Sequence, residues 1–228
     1  MVIGHGLVAK AFESYKSSGD IVIFASGVSN SKFGLPQDYN REKSLLTATL
    51  KTYKDKTIVY FSTSSILDPD LSGTHYISHK IEMEDLIRQD ASVFHIFRLS
   101  NLAGFSNNKN TLLNFFNFQI VNDLTFEYWT GAERNIIDIE DVYDIINYIL
   151  EQGILRNQTV NVANPVNYTV PYILHCFESY YHKKAFALEK DKGVPFQIDI
   201  SDIKPVIALL GIRFGDNYLP ELLKKYYS

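Results

Sequence analysis

The chain has 228 residues, 46% of them apolar, and a net charge of −4, which predicts one well-buried α/β domain or one domain with a small lobe. Its acidic balance lacks the basic patch of a nucleic-acid-binding protein, and the sequence contains no apolar run long enough to span a membrane. The chain begins with neither a charged leader nor a cleavage site, so we expect a cytoplasmic protein. The single cysteine, Cys176, cannot form an internal disulfide, and we expect it to be a small buried hydrophobe.

Short runs of β-branched residues alternate with helical segments, a pattern that predicts a parallel α/β sheet. The predicted strands are Met1–Ile3, Ile21–Phe24, Thr57–Phe61, Val93–Leu99, Thr125–Trp129 and Thr159–Val162. The predicted helices span residues 7–17, Arg41–Tyr53, Tyr76–Gln89, Thr111–Ile120, Ile139–Glu151, Pro171–Tyr181, Ile200–Leu210 and Leu219–Tyr226. We expect a polar loop between Val28 and Tyr39.

The first candidate site is the pattern Gly4-x-Gly6-x-x-Ala9, which follows a strand and opens a helix. Glycines let the backbone turn tightly and approach a pyrophosphate, and the helix N-terminus then offers free N–H groups to it. The pattern alone is not specific, because a plain glycine-rich turn between a strand and a helix is about as common.

The second candidate is Tyr76-x-x-x-Lys80, whose two residues lie one helical turn apart and share a face. An ammonium group close to a tyrosine hydroxyl favours the phenolate and lowers its pKa. The tyrosine then becomes a usable proton donor or acceptor near neutral pH. A solvent-facing tyrosine and lysine would give the same spacing, so this pattern also gains its meaning only from context.

The third candidate is the run of hydroxyl residues 62–65 at the carboxyl end of a predicted strand. Ligands of open α/β sheets bind at that edge, where a hydroxyl can donate to a substrate oxygen. Local hydrogen bonds of Ser and Thr at a strand end are the alternative interpretation.

The order of glycine turn, hydroxyl run and Tyr-x-x-x-Lys resembles the extended short-chain dehydrogenase/reductases, a family of sugar-nucleotide epimerases, dehydratases and reductases. Residues 59–65 resemble the family's strand with its catalytic hydroxyl, and residues 76–82 resemble its active-site helix. Three later segments continue the resemblance: 97–104, beside the nicotinamide and the sugar nucleotide; 134–142, with a substrate-binding arginine; and 161–163, a late strand.

The resemblance implies that Thr63, Tyr76 and Lys80 are catalytic, with Lys80 lowering the pKa of Tyr76 and holding the nicotinamide ribose. It implies NAD or NADP as cofactor, held by Gly4, Gly6, Leu7, Val8, Ala9, Ala25, Ser26, Gly27, Tyr76 and Lys80. It implies substrate contacts from Ser64, Asn101, Asn110, Asn114 and Arg134. Arg98 is expected to tie a loop down, and no metal is expected.

One departure from the family is a missing strand–helix–strand–helix block, because residues 21–27 resemble the family's fourth strand and not its second. The residue that reads the adenosine ribose is missing with this block, so the choice between NAD and NADP stays open. Right-handed crossovers are nearly universal in parallel sheets. The first helix therefore changes face, or the strand takes the second-strand position, or a partner chain intervenes. We favour a strand beside the catalytic strands.

Two further departures concern the segment between Thr63 and Tyr76. The segment is short and contains the turn signals Asp68-Pro69 and Ser72-Gly73, which predict a small lid. Ser64-Ser65 follow Thr63, where dehydratases of the family carry acid/base carboxylates. Simple hydride transfer is therefore favoured over dehydration.

The sequence thus predicts one domain, residues 1–228, with a Rossmann-like parallel sheet, helices on both faces, and a small substrate lobe formed by about 102–135 and 164–228. The expected activity is that of an NAD(P)-dependent reductase or epimerase acting on a nucleotide-activated sugar, by analogy in surface-polysaccharide synthesis. A non-catalytic module that binds a sugar nucleotide or a partner is the alternative. A plain structural domain would require every similar segment to be coincidence. A homodimer through the Arg41 and Tyr76 helices is a further expectation.

Overall fold

The computed structural model describes residues 1–28 and 34–228, so residues 29–33 of the expected loop lie outside it. Its strands are β1 (Val2–Ile3), β2 (Ile21–Phe24), β3 (Thr57–Thr63), β4 (Val93–Leu99), β5 (Asn101–Ala103), β6 (Phe126–Trp129), β7 (Glu133–Asp138), β8 (Gln158–Val162), β9 (Asn167–Thr169) and β10 (Ala187–Lys190). Its α-helices are α1 (Leu7–Ala11), α2 (Pro36–Thr52), α3 (His75–Asp90), α4 (Leu112–Val121), α5 (Ile139–Gln152), α6 (Val170–Tyr181), α7 (Lys204–Leu210) and α8 (Tyr218–Tyr227). Three 3-10 helices cover Glu13–Ser17, Ser64–Leu67 and Pro69–Leu71.

The central sheet has five strands in the order β1-β2-β3-β4-β8, and all its neighbours are parallel. This arrangement confirms the predicted Rossmann-like sheet. β2 lies between β1 and β3, which is the favoured position beside the strand that carries the hydroxyl run. Because the strands are parallel, their carboxyl ends meet at one edge of the sheet.

Both faces of the central sheet are covered by helices, as the alternation of side chains along β3 shows. Ile58 and Tyr60 join a core with α2 and α3, whereas Val59 and Phe61 join a core with α5 on the opposite face. Phe12, which follows α1, is fully buried in the second of these cores. The apolar character of β3 on both sides is typical of a sheet covered by helices on both faces.

The first crossover of the sheet has the opposite hand to the two that follow it. The connections β1–α1–β2, β2–α2–β3 and β3–α3–β4 all step in the same direction across the sheet. However, α1 packs on the α5 face, and α2 and α3 pack on the other face. Of the three open arrangements, the structure therefore combines a strand beside β3 with a first helix on the face opposite α2, so the first crossover and the two that follow it cannot all have the common hand.

A third apolar core lies beside the sheet and is built from α4, α6, α8 and β6. Its two small sheets have the orders β10-β6 and β5-β7-β9. The segment around α7 packs instead on α5 and on the core that contains Phe12. The assignment of residues 102–135 and 164–228 to a substrate lobe stays a prediction.

Most predicted elements lie within a few residues of their observed bounds, and the larger differences have local causes. α1 ends at Ala11 and the chain continues as a 3-10 helix, so the single helix predicted over residues 7–17 is wrong. α2 begins at Pro36, earlier than predicted, with proline in its first turn and Asp38 Oδ2 accepting from Leu35 N at 3.3 Å. None of the helices in the described ranges is long and apolar enough to cross a membrane.

Candidate functional site

The carboxyl edge of the central sheet brings together the glycine turn after β1, residues 25–27 after β2, and the hydroxyl run at the end of β3. α3 follows β3 and carries Tyr76 and Lys80 in its first two turns. Its N-cap, Thr74, accepts a hydrogen bond from Ile77 N at 3.4 Å, so the start of the helix is fixed next to the edge. The predicted catalytic and cofactor-binding residues thus converge on one edge of the sheet.

The glycine turn is tightly packed on one side and open on the other. Gly4 has φ +126°, and a Cβ built there would lie 2.3 Å from the carbonyl oxygen of Ala25, so a close approach to the end of β2 requires glycine. Gly6 is the N-cap of α1, and a Cβ built on it would meet nothing within 4 Å. Leu7, Val8 and Ala9 open α1. The open space above Gly6 fits the close approach of a pyrophosphate to the backbone.

Tyr76 is buried beside Thr63, and this environment keeps it protonated. Burial raises the pKa of Tyr76 to about 12; the Thr63 hydroxyl opposes the rise and the Glu42 carboxylate adds to it. Thr63 Oγ1 accepts from Ser65 N at 3.1 Å, so the hydroxyl proton of Thr63 can be directed towards Tyr76. Ser64 begins the 3-10 helix that follows and is buried.

Lys80 is buried and bound to a carboxylate that the sequence patterns did not reveal. Its Nζ donates to Glu42 Oε1 at 3.0 Å and to the Tyr60 hydroxyl at 3.1 Å. A Cβ built on Gly27 would lie 2.7 Å from Lys80 Nζ and 3.1 Å from Glu42 Oε1, so the absence of a side chain there makes room for the pair. Residues 25–27 therefore border this ion pair.

The sequence predicts that Lys80 lowers the pKa of Tyr76, whereas in the structure burial raises that pKa. Burial is the largest influence on the Tyr76 hydroxyl, and the neighbouring charge that acts on it is the negative one of Glu42. The ammonium of Lys80 is directed at Glu42 and Tyr60, and a carboxylate at hydrogen-bond distance cancels most of its field.

The amides of Asn101 and Asn114, two predicted substrate contacts, make internal hydrogen bonds. Asn101 Nδ2 donates to the carbonyl oxygen of Asn135 at 2.8 Å, which joins β5 to β7. Asn114 Nδ2 donates to the carbonyl oxygens of Ser106 and Asn108, each at 2.9 Å, and its Oδ1 accepts from the Tyr227 hydroxyl at 2.5 Å. The Asn114 amide thus shapes the loop between β5 and α4. Contact of either residue with a substrate stays a prediction.

Asn110 and Arg134, also predicted to contact the substrate, lie in loops and at a strand start. Asn110 is exposed, and its backbone N–H donates to Asn108 Oδ1 at 3.0 Å. Arg134 Nη1 donates to the carbonyl oxygen of Glu133 at 2.7 Å and lies 3.9 Å from Asp68 Oδ2. Burial raises the pKa of Asp68, and the Arg134 guanidinium opposes that rise. Arg134 thus meets a buried carboxylate of the segment between Thr63 and Tyr76.

Arg98 fixes α3 to the sheet rather than tying down a loop. Its Nε and Nη2 donate to the two oxygens of Glu84, at 2.8 and 2.7 Å, in a bidentate pair. Glu84 is fully buried and also accepts from Ser62 Oγ at 2.6 Å and Arg88 Nη2 at 2.7 Å. Despite burial, these donors lower the pKa of Glu84.

The sequence did not reveal three residues of the buried hydrogen-bond cluster around Lys80: Glu42, Tyr60 and His79. Glu42 lies in the middle of α2 with no motif around it, and Tyr60 reads as one more apolar residue of a buried strand. The available signal was indirect: if Lys80 is buried, its charge needs a carboxylate partner somewhere in the chain. No three His, Cys, Asp or Glu side chains within residues 1–28 and 34–228 are grouped so as to hold a metal ion.

Comparison with known proteins gives matches in structure only. No family model matches the chain, and no curated protein matches it in sequence. The UDP-glucuronic acid 4-epimerase from Bacillus cereus, in complex with UDP-glucuronic acid and NAD, matches at 17% identity and a TM-score of 0.72, over 91% of this chain and 74% of that one. RMD from Pseudomonas aeruginosa, complexed with NADPH, matches at 14% identity and a TM-score of 0.69, over 98% of this chain and 96% of that one. The UDP-N-acetylglucosamine 4-epimerase from Bacillus cereus matches at 18% and 0.70, over 97% and 81%.

At these identities the likeness shows the fold. The chain shares the Rossmann-like fold of these sugar-nucleotide epimerases, and the fold that the resemblance implied is confirmed.

Proposed function

We propose that the chain is an NAD(P)-dependent oxidoreductase that acts on a nucleotide-activated sugar. The observation that carries this proposal is the placement of Tyr76 and Thr63 side by side at the carboxyl edge of the sheet, across from the open glycine turn after β1. The matched solved structures include complexes with NAD, NADPH and UDP-sugars, which supports the classes of cofactor and substrate.

The residues present fit a dinucleotide best at its pyrophosphate end. The Gly4–Gly6 turn and the first N–H groups of α1 would hold the pyrophosphate, because Gly6 leaves its backbone open. When bound, the nicotinamide supplies the hydride chemistry. Tyr76 exchanges a proton with the substrate oxygen, and the Thr63 hydroxyl donates to the same oxygen, so both stabilise the developing alkoxide.

Binding of NADH and NADPH to the purified protein tests the first half of this proposal. We expect saturable binding of at least one of them, weakened by Gly6→Val because the side chain fills the open space above the turn. Gly19→Val is the matched control: Gly19 also has nothing within 4 Å, but it precedes β2 at the opposite edge of the sheet. Equal binding by both variants would mean that the dinucleotide does not contact this turn, and no binding of either dinucleotide at millimolar concentrations would favour a non-catalytic module.

Turnover of UDP-sugars and their keto forms tests the second half. Tyr76→Phe should lower turnover by about 10²- to 10⁴-fold, the usual contribution of a general acid or base. Tyr53→Phe, at the far end of α2, should leave it unchanged. Near-normal turnover in the Tyr76 variant would contradict the mechanism. A homodimer through α2 and α3 stays a prediction that sedimentation can check.

A further inference from the structure

Glu42 is the centre of a buried hydrogen-bond cluster next to Tyr76. Its side chain is fully buried and accepts from four donors among the described residues: Tyr60 Oη at 2.7 Å and Lys80 Nζ at 3.0 Å on Oε1, and Val28 N at 2.6 Å and His79 Nε2 at 3.0 Å on Oε2. Burial opposes ionisation, but the Lys80 ammonium and the other donors outweigh it and lower the pKa of Glu42 to about 2. Glu42 therefore carries its charge at neutral pH.

This charge changes what Lys80 can do for Tyr76. The Lys80–Glu42 pair is almost wholly buried and in contact at 3.0 Å, so the two charges act on their surroundings as one neutral dipole. The Lys80 hydrogen bonds go to Glu42 and Tyr60, and the Tyr76 hydroxyl has Thr63 as its close polar neighbour. Among the residues that the structure describes, Tyr76 is left without an unbalanced positive charge that would stabilise a phenolate.

We propose that Glu42 is a positioning residue of the Tyr76 site, which holds the Lys80 ammonium against its own carboxylate and so keeps Tyr76 a neutral phenol that donates a proton and does not remove one. This inference rests on the proposed function and deepens it. A site that donates a proton serves the reduction of a carbonyl, whereas an epimerase must first remove a proton from a hydroxyl. The substrate class is therefore a keto sugar joined to a nucleoside diphosphate.

The proposed reaction balances as a carbonyl reduction. The carbonyl carbon gains a hydride from a reduced nicotinamide dinucleotide, which is oxidised, and the carbonyl oxygen gains the proton of the Tyr76 hydroxyl. The C=O double bond becomes a C–OH group. The phenolate that remains regains its proton from water.

Within residues 1–28 and 34–228, the titratable groups facing this cluster come from three elements. α3 contributes Tyr76, His79, Lys80 and Glu84, β3 contributes Tyr60, and α2 contributes Tyr39 and Glu42. The Tyr39 ring lies 4.8 Å from the His79 ring. Any titration of Tyr76 must therefore be separated from the titrations of Tyr39 and Tyr60.

NMR of protein labelled at tyrosine Cζ provides that separation, because Tyr76→Phe, Tyr60→Phe and Tyr39→Phe identify the three resonances. In the native protein the Tyr76 signal should remain that of a phenol well above pH 10. In Glu42→Gln its midpoint should fall by about one unit or more, because a neighbouring negative charge is removed. Glu82→Gln is the control, since Glu82 lies on α3 together with Tyr76 but forms an exposed pair with Lys43. An unchanged midpoint in Glu42→Gln would overturn the proposal.

A second variant keeps the test decisive if Glu42→Gln does not fold. The double variant Glu42→Gln/Lys80→Met removes both charges together, which is often tolerated in buried ion pairs. Tyr76 should titrate in it close to its native midpoint, because a neutral dipole has been replaced by neutral groups. A higher midpoint would mean that Lys80 lowers the pKa of Tyr76 in the native protein, and the proposal would be wrong.

The titration needs neither cofactor nor substrate, so its outcome is independent of the proposed function. If NADH and NADPH fail to bind, the oxidoreductase assignment falls while the state of Tyr76 is still measured. If the protein binds a cofactor and Tyr76 ionises near neutral pH, the oxidoreductase assignment stands and the role of Glu42 falls.

Discussion

Two regions of the central sheet are stabilised in different ways: the region around β3, β4 and α3, called the α3 end here, and the edge around β1 and α1, called the β1 end. Around β3, β4 and α3, buried carboxylates gather several donors each, four on Glu42 and four hydrogen bonds from three residues on Glu84. Around β1 and α1, the chain relies on packing of Phe12 and on the close approach of Gly4 to Ala25. Among the described residues β1 is one of the two edge strands and pairs over two residues only.

The difference shows which parts of the sheet hold side chains in fixed positions and which hold only the backbone. Buried ion networks fix side-chain positions but are costly when one partner is lost, because an uncompensated charge stays buried. A glycine turn fixes only the backbone, which is what a pyrophosphate contacts. We therefore expect substitutions at the α3 end to act mainly on stability and on the protonation of Tyr76, and substitutions at the β1 end to separate stability from cofactor binding.

The largest effect is expected from Glu84→Ala at the α3 end. Removing this carboxylate leaves Arg98 and Ser62 without their partner, so the free energy of unfolding should fall by about 3–5 kcal/mol in chemical denaturation. Asp85→Ala is the matched control, because Asp85 forms only a half-exposed pair with Arg88 on the same helix, and it should cost less than about 1 kcal/mol. Similar losses in both variants would show that Glu84 does not hold α3 to the sheet.

Acid titration of stability should reveal the Glu42 cluster. The folded pKa of Glu42 is about 2, below the ordinary glutamate value of 4.5, so the contribution of Glu42 to stability is fully present above about pH 4.5 and is lost as the pH falls towards 2. The contribution is on the order of 3 kcal/mol. In Glu42→Gln the free energy of unfolding, measured between pH 5 and pH 2, should depend less steeply on pH by this amount. An unchanged slope would mean that Glu42 is not held ionised by its neighbours.

The same cluster marks the limit of prediction from sequence. Tyr76 and Lys80 were predicted to share a helix face because their spacing alone places them there, and the parallel sheet followed from alternating elements. Glu42 lies 38 residues before Lys80, and no local rule links a carboxylate in mid-helix to a lysine so far away. Burial, to which the Glu42 carboxylate adds, raises the pKa of Tyr76, where the sequence predicted a fall. The short strands β5, β7, β9 and β10 were missed because their pairing is decided by tertiary contacts.

At the β1 end, Gly4→Ala should lower stability by about 2 kcal/mol. A side chain at φ +126° is strained, by about 1–3 kcal/mol, and its Cβ would lie 2.3 Å from the Ala25 carbonyl oxygen, so β1 and β2 must also move apart. Thermal unfolding measures this loss. A variant as stable as the native protein would show that the β1 turn can relax away from β2.

The smallest change in stability, within about 0.5 kcal/mol, is expected from Gly6→Ala. The methyl group enters open space at an ordinary φ of −74°, and the gain from a less flexible unfolded chain offsets the poorer N-cap. Its effect should appear in the Kd for NADH or NADPH, because the methyl group occupies the space that a pyrophosphate would approach. A variant that keeps both its stability and its affinity would mean that the dinucleotide, if it binds, does not approach this turn. A variant that loses only affinity would make the β1 end a binding element that the fold itself does not need.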